Sequence, residues 1–414
     1  MAGVLLLGTC DTKLDELLFL RDAIKKSSPA VHVVLIDVGR QPVEHEAITY
    51  TQKQLLKDHG ESKDLGDLPR GEVIKFMANC ATKPVKQLYE RGDVHGIISA
   101  GGSGGTSLAS TVMRDALPLG FPKLIVSTVA SGDTGPIVEE TDITLMYSVV
   151  DVAGLNQLLK NVLSNAGAAI AGMATSYYSR KTSESSPSTK RVGVTMFGVT
   201  TPAVDAIRTH LESKYKIETY VFHATGHGGK AMERLIREGG LDAVLDLTTT
   251  EICDNLTGGV MSAGPTRLDA ALEAGIPNII SVGATDMTNF GPRTTVPEKY
   301  EDRLLYEHNP VVTLMRTSRE EAKAVGEFIA QKIKGSMNKG ITTQVWLPKG
   351  GVSMISEPGG PFADAEADNA LFDAIKTGLA HTAIRVVDDK RAINDPGFAI
   401  DIAEALVEEM GIDD

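Results

Sequence analysis

The sequence predicts an α/β protein of two Rossmann-like, three-layer subdomains with mainly parallel sheets and a cleft between them. Three observations carry this. Short β-branched runs alternate with longer amphipathic segments along almost the whole chain, the pattern of parallel strands covered by helices. The 414 residues exceed what a single core usually organises. Over 179–191, Ser, Thr, Lys, Arg, Glu and one Pro replace every apolar residue, as in a solvated linker. The expected division is a domain over 1–180, a linker over 181–190, and a second domain over 191–414 that includes a C-terminal extension.

In the first half, β-branched runs predict strands over 4–7, 31–37, 96–99, 124–128 and 143–148, and helical periodicity predicts helices over 14–26, 71–91 and 107–117. In the second half, strands fit 191–197, 218–222, 243–246, 278–282, 311–316 and 344–347, and helices fit 203–215, 230–238, 267–274, 318–334 and 367–378. Trp346 precedes a Pro- and Gly-rich run over 348–361. Beyond it a strand-like segment over 383–387 and a final helix over 398–410 are expected to pack across one of the two domains. The halves echo each other at their loops. The segment 97–106 parallels 221–230, and 125–133 parallels 279–286, each a strand followed by small residues. Such loops lie at the carboxyl ends of strands, where open α/β sheets bind ligands.

Charge and cysteine content exclude several classes of function. With 41 basic and 54 acidic residues the net charge is −13, so neither a nucleic-acid backbone nor an anionic membrane is an expected partner. The three cysteines, Cys10, Cys80 and Cys253, are scattered and fit neither a disulfide framework nor a zinc cluster. The apolar stretch over 3–8 is too short for a signal peptide or a membrane span. A soluble, cytoplasmic protein is expected.

The chemistry concentrates in three loops of the first half. Gly101, Gly102, Ser103, Gly104, Gly105 and Thr106 link a strand to a helix. Glycines there let the backbone approach a ligand, and N–H groups with hydroxyl donors beside a helix N-terminus form an anion cradle. The alternative is a tight turn serving helix–strand packing. The loop has neither the Gly-Lys-Ser/Thr ending of a Walker A motif nor dinucleotide-binding glycine spacing. Gly8, Thr9, Asp11, Thr12 and Lys13 follow the first strand; Thr9, Thr12 and Lys13 could reach a phosphate over the helix end, or Asp11 and Thr12 could simply cap that helix. Asp37 ends the second strand, either as a ribose acceptor or as an ordinary strand-end acid. Ser131, Gly132, Asp133 and Thr134 form the third loop. There Asp133 could ligate Mg²⁺ on a nucleotide or close an Asx-turn.

The second half carries more titratable groups. His223, Asp254, Asp286 and His308 form a candidate acid/base set, expected to converge on one pocket facing the first domain; Glu251 and His227 lie in the same loops. No metal spacing is recognisable, and structural, hydrogen-bonded histidines are the alternative. Arg293 and Arg316 could clamp a carboxylate or phosphate, or form ordinary salt bridges.

In order along the chain, Gly-Thr-Cys-Asp-Thr-Lys (8–13), Gly-Gly-Ser-Gly-Gly-Thr (101–106), Ala-Ser-Gly-Asp-Thr (130–134), Phe-His-Ala-Thr-Gly (222–226), Asn-Phe-Gly-Pro (289–292), His-Asn-Pro (308–310) and Leu-Met-Arg-Thr (314–317) resemble the family of the tomato mosaic virus resistance protein, in its N-terminal inhibitory, ATP-binding region. The resemblance spans essentially the whole chain. It implies two Rossmann-like subdomains, a homodimer, and ATP held in the first subdomain by the three loops named above. His227 departs from the smaller residue that the family pattern carries in that loop. The expected function is binding of ATP or another phosphate-bearing nucleotide. The alternatives are an enzyme acting on a small carboxylate or phosphate compound, and a protein-interaction module stabilised by nucleotide.

Overall fold

In a computed structural model the chain divides into two compact units, Met1–Ser186 and Pro187–Asp414. The structure describes residues 1–59, 65–183, 189–336 and 342–412, so the middle of the expected linker, 184–188, lies outside the described residues.

The N-terminal unit runs β1 (Gly3–Gly8), α1 (Cys10–Ser27), β2 (His32–Asp37), α2 (Gln52–His59), α3 (Arg70–Glu90), β3 (Gly96–Gly101), α4 (Ser103–Ala116), β4 (Lys123–Ser127), α5 (Gly135–Val138), β5 (Thr144–Tyr147) and α6 (Gln157–Ser183). Its five strands form one sheet in the order β2-β1-β3-β4-β5, every pair parallel. Successive side chains of a strand point to opposite faces, and β1 shows this directly. Leu5 and Leu7 join Val73, Met77 and Leu108 of α3 and α4 in one core. Val4 and Leu6 join Leu17, Leu20 and Ile170 of α1 and α6 in another. Helices therefore cover both faces.

That strand order locates the ligand-binding edge. From β1 the chain moves outward to β2, then returns past β1 to β3, so the direction of winding reverses between β1 and β3. The helices that follow these two strands consequently lie on opposite faces, α1 on one and α4 on the other. Their first turns diverge and leave a crevice at the carboxyl ends of β1 and β3.

Helix α6 has no counterpart among the helices expected from the sequence. Leu159, Leu163, Ala166, Ile170 and Ala174 form its buried stripe, but its Ala, Gly and Ser content weakens the contrast between that stripe and the rest of the helix. The same small residues allow close packing: a Cβ on Gly167 would stand 2.9 Å from the Ala23 Cβ and 3.0 Å from the Ile24 nitrogen, so α6 meets α1 at backbone distance. Residues 181–183, expected in the linker, are its last turn.

The C-terminal unit runs β6 (Lys190–Met196), α7 (Thr201–Lys214), β7 (Ile217–His223), α8 (His227–Arg237), β8 (Ala243–Thr248), α9 (Thr250–Thr257), α10 (Asp269–Ala274), β9 (Asn278–Gly283), β10 (Met287–Phe290), β11 (Leu305–Asn309), β12 (Val312–Arg316), α11 (Arg319–Ser336), β13 (Thr343–Pro348), α12 (Ala365–Leu379), β14 (Arg385–Asp389) and α13 (Pro396–Glu409). A six-stranded parallel sheet has the order β14-β13-β9-β8-β6-β7. The strand expected over 311–316 is not in it. As β12, it is the centre of a separate antiparallel sheet, β10-β12-β11. The final helix, α13, packs with α7 over one face of the main sheet through Phe398, Ile402 and Leu406.

Candidate functional site

A cavity of about 720 Å³ fills the crevice of the N-terminal unit, within the range of small-molecule sites. Its lining brings together the two glycine-containing loops singled out in the sequence: Thr9, Asp11, Thr12 and Lys13 after β1, and Gly101 to Gly105 after β3. Gly8 is the buried last residue of β1, beneath the first of these loops.

The β1 loop is held by its own polar groups. Thr9 C=O accepts from the N–H of Thr12 at 3.2 Å and of Lys13 at 3.0 Å, and Lys13 has a non-helical backbone (φ −135°, ψ 21°) that breaks α1 after its first residues. Asp37 Oδ1 accepts from the N–H of Cys10 at 3.0 Å and Gly39 at 2.9 Å. Burial raises the Asp37 carboxyl above the ordinary range against those two hydrogen bonds. Asp37 is thus an internal brace between the loops after β1 and β2, and it does not line the cavity. The Cys10 thiol is pushed well up by burial and by Asp37, so it is a structural thiol rather than a nucleophile. Asp11 Oδ2 accepts from the N–H of Arg40 at 2.9 Å and of Gln41 at 3.1 Å.

The β3 loop presents an uncapped helix. Gly102 precedes α4 in an extended conformation with no side-chain cap, which leaves the first N–H groups of the helix available to an anion. A Cβ on Gly104 would stand 3.1 Å from Arg70 Nη2 and from Ile74 Cδ1, whereas one on Gly105 would meet nothing within 4 Å. Ser103 is exposed on the cavity, but Thr106 is buried, its Oγ1 2.7 Å from Ser127 Oγ. Thr106 ties the first turn of α4 to the end of β4 instead of facing a ligand.

The third loop stands apart. Ser131, Gly132, Asp133 and Thr134 do not line the cavity, and Asp133 Oδ1 accepts from Gly135 N–H at 3.0 Å, an Asx-turn. Thr128, just before that loop, is the residue of this region that reaches the cavity.

Two residues not singled out in the sequence complete the site. Arg40 follows β2 and Arg70 opens α3, and both line the cavity with Lys13. Arg40 Nη2 donates to Leu68 C=O at 2.9 Å and to Gly66 C=O, which aims its guanidinium. Among the described residues, none of these three cations has an ion-pair partner. The carboxylates on the wall are Asp11, already engaged, and Asp151, which is exposed. Val38, Val73, Ile74, Leu108 and Val149 supply an apolar side. Val149 is a β-branched residue at φ 65°, an uncommon and strained conformation. The cavity accommodates an anion attached to an apolar body.

In the C-terminal unit the four expected acid/base residues do not share a pocket. His223 and His308 line one small cavity. Asp254 is buried in α9, its Oδ1 accepting from Asn289 N–H at 2.8 Å and its Oδ2 from Met261 N–H at 2.7 Å. Asp286 is buried as well; its Oδ2 accepts from Ser353 Oγ at 2.8 Å, and its Oδ1 has no partner. Burial raises each of these carboxyls to about 7, in Asp286 against the positive charge of Arg316. They are enclosed because their strand ends are roofed by the β10-β12-β11 sheet and the 353–362 segment, which sequence periodicity does not reveal. Arg316 is likewise internal, 2.6 Å from Asp368 and donating to Phe362 C=O, while Arg293 is exposed.

The glycine loop over 226–229 differs from its counterpart in the first half. Glu251 Oε1 accepts from the N–H of Gly226 at 2.7 Å and of Gly229 at 3.0 Å, so an internal carboxylate takes the place that an anion would occupy. Glu251 is held in turn by Arg267 Nε at 2.8 Å, and Arg267 also binds Asp246 at 2.5 and 2.6 Å. The helix expected from Arg267 begins at Asp269 because the arginine is drawn into this buried cluster. Among the described residues, no group of three or more His, Cys, Asp or Glu could hold a metal ion, and no helix is long and apolar enough to cross a membrane.

Residues 2–179 match the N-terminal domain, and residues 189–410 the C-terminal domain, of Uncharacterised protein family UPF0261. A UPF0261 protein of Clostridium tetani is 43% identical over 414 residues, covering 98% of both chains. One from Mesorhizobium japonicum is 44% identical over 413 residues, covering 98% of this chain and 99% of its own. The ToMV resistance protein Tm-1(GCR237) of Solanum lycopersicum is 41% identical over 425 residues, covering 98% of this chain and 55% of that protein's length. Among solved structures, a UDP-N-acetylglucosamine 2-epimerase from Listeria monocytogenes, described as putative, matches with TM-score 0.23 and 13% identity over 94% of this chain and all of its own. A likeness that low says nothing about ligand.

Proposed function

The chain belongs to the uncharacterised protein family UPF0261, and from that premise we propose that its N-terminal unit binds a phosphate-bearing nucleotide, ATP being the ligand that its sequence resemblance implies. One observation carries the reading. At the reversal of strand order, the uncapped start of α4 and three cations that have no ion-pair partner among the described residues, Lys13, Arg40 and Arg70, surround one cavity with an apolar side. In a chain of net charge −13, a cationic cavity of this kind concentrates a polyanion. The phosphates lie toward the helix start and the cations, and the base lies against Val73, Ile74 and Leu108.

Magnesium enters this reading as a companion of the phosphates. Asp133 does not line the cavity and Asp11 Oδ1 is buried, so neither presents an open oxygen to the ligand. A Mg²⁺ ion would take its ligands chiefly from phosphate and water, as it commonly does on nucleotides. Titrating the full chain calorimetrically with ATP, ADP and AMP tests the proposal. Affinity falling stepwise as phosphates are removed supports it; equal affinity for all three contradicts it. Light scattering at the same concentrations reads whether the chain is the homodimer that the resemblance implies.

A further inference from the structure

A second cavity, of about 200 Å³, opens in the C-terminal unit at the carboxyl ends of β6 and β7, the edge at which open α/β sheets take ligands. Phe197, Val199, Met261, Val312 and Leu314 make it apolar, and its titratable groups are His223 and His308. His223 ends β7 with its ring 5.6 Å from that of Phe197, tilted by 36°. His308 reaches the cavity by a different device. Strands β11 and β12 pair in register up to Glu307, and the register then shifts between Glu307 and Asn309, so His308 is the extra residue of an irregular, bulged turn of the strand. A bulge breaks the alternation of a strand and re-aims a side chain. Asn309 Oδ1 fixes the hairpin beyond it by accepting from Val311 N–H at 2.9 Å. Gly198 is an exposed residue of the lining, and a Cβ there would meet nothing within 4 Å.

We propose that this cavity is a binding site for a small carboxylic acid with a flat apolar body, the carboxylate held by the two imidazoles and the body lying against Phe197, Val312 and Leu314. No carboxylate side chain lines the cavity, so an anion meets no like charge there. An imidazole donates an N–H in either protonation state and adds positive charge when protonated. Beside the imidazoles, Thr225 and Asn309 are the polar side chains of the lining, so a ligand rich in hydroxyls would leave most of them unpaired against the apolar walls, at a desolvation cost. The site is independent of the nucleotide cavity and does not rest on that reading.

The test uses benzoate as the anionic probe and benzamide as its uncharged counterpart, with the histidine ring Cε1–H signals of the full chain followed by NMR. Of the nine histidines, His223 and His308 are assigned from His223→Gln and His308→Gln. Their signals move together on one saturation curve with benzoate, and benzamide binds about tenfold more weakly, as expected on losing a charge-assisted hydrogen bond. Gly198→Leu adds an isobutyl group to the lining without a clash against the protein, and it abolishes the benzoate shifts with an unchanged unfolding temperature. Equal binding of benzamide overturns the anion assignment. Uniform drift of all histidines, or benzoate shifts that persist in folded Gly198→Leu, overturns the site itself.

Discussion

The Asp11 carboxylate accepts from the Arg40 backbone N–H at 2.9 Å, fastening the loop that carries one cationic side chain of the cavity to the loop that carries another, Lys13. Asp11 was expected from the sequence to touch ligand or cap a helix. Its structural effect is to set the spacing of two cations. Because it accepts from Gln41 as well, Asp11→Ala removes two hydrogen bonds to a charged acceptor and costs about 1.5–3 kcal/mol in urea unfolding. Asp11→Asn keeps one acceptor oxygen and recovers most of that loss. Equal stability of the two variants would show that the loop is held by other means.

Gly105 separates ligand binding from folding. An added Cβ meets no protein atom within 4 Å, and alanine is favoured over glycine inside a helix by about 0.5–1 kcal/mol. Gly105→Ala is therefore expected to unfold at slightly higher urea concentration and, if the proposed phosphate meets the backbone there, to bind ATP more weakly. Gly104→Val is a poorer probe, because its side chain presses on Arg70 and Ile74. A stabilised Gly105→Ala with unchanged affinity would remove the start of α4 from the site.

The Arg267 cluster is a folding element of the C-terminal unit. Replacing Arg267 by Met leaves Asp246 and Glu251 buried without their counter-charge and Glu233 with Arg237 alone, and breaking a buried pair from one side costs about 3–5 kcal/mol. The expected result is a lower unfolding midpoint together with faster hydrogen exchange at Gly226 and Gly229, whose N–H groups depend on Glu251. Unchanged exchange at those glycines would contradict the role assigned to Glu251.

Asp286 gives a pH signature. Its carboxyl is raised to about 7 in the folded chain by burial, so between about pH 4 and pH 7 the folded state holds a proton that the unfolded state has released. That contribution to stability is fully present below the unfolded carboxyl range and declines as pH rises toward 7. Asp286→Asn preserves an acceptor for Ser353 and is expected to flatten the decline, measured as unfolding free energy against pH. An unaltered slope would place the proton elsewhere.

The family, the fold class and both glycine-containing loops of the cavity were legible in the sequence because each depends on local signals: β-branched runs, turn glycines and hydroxyls at helix starts. Arg40 and Arg70 were not. Nothing in the local pattern distinguishes them from surface arginines, and only the strand order brings the end of β2 and the start of α3 beside β1 and β3. Asp254 and Asp286 misled for the opposite reason. Asp286 does lie in the loop after β9, and Asp254 in α9 just after β8, but the antiparallel sheet formed by β10, β11 and β12 covers them, and two of its three consecutive strands, β10 and β11, carry no alternation that marks them in the sequence. Helix α6 escaped because the small residues that bring it close to α1 also blunt the contrast between its buried stripe and its other faces.

The central claim is that the cations at the β1/β3 crevice hold the phosphates of a nucleotide, and calorimetric titration of ATP into the full chain and into Lys13→Ala and Arg70→Ala tests it most directly. The account predicts saturable binding to the unaltered chain, weakened in each variant by about 1–2 kcal/mol, the order of one charge-assisted hydrogen bond, with folding intact by circular dichroism. Absence of binding heat from the unaltered chain, or equal affinity in all three folded proteins, would contradict it.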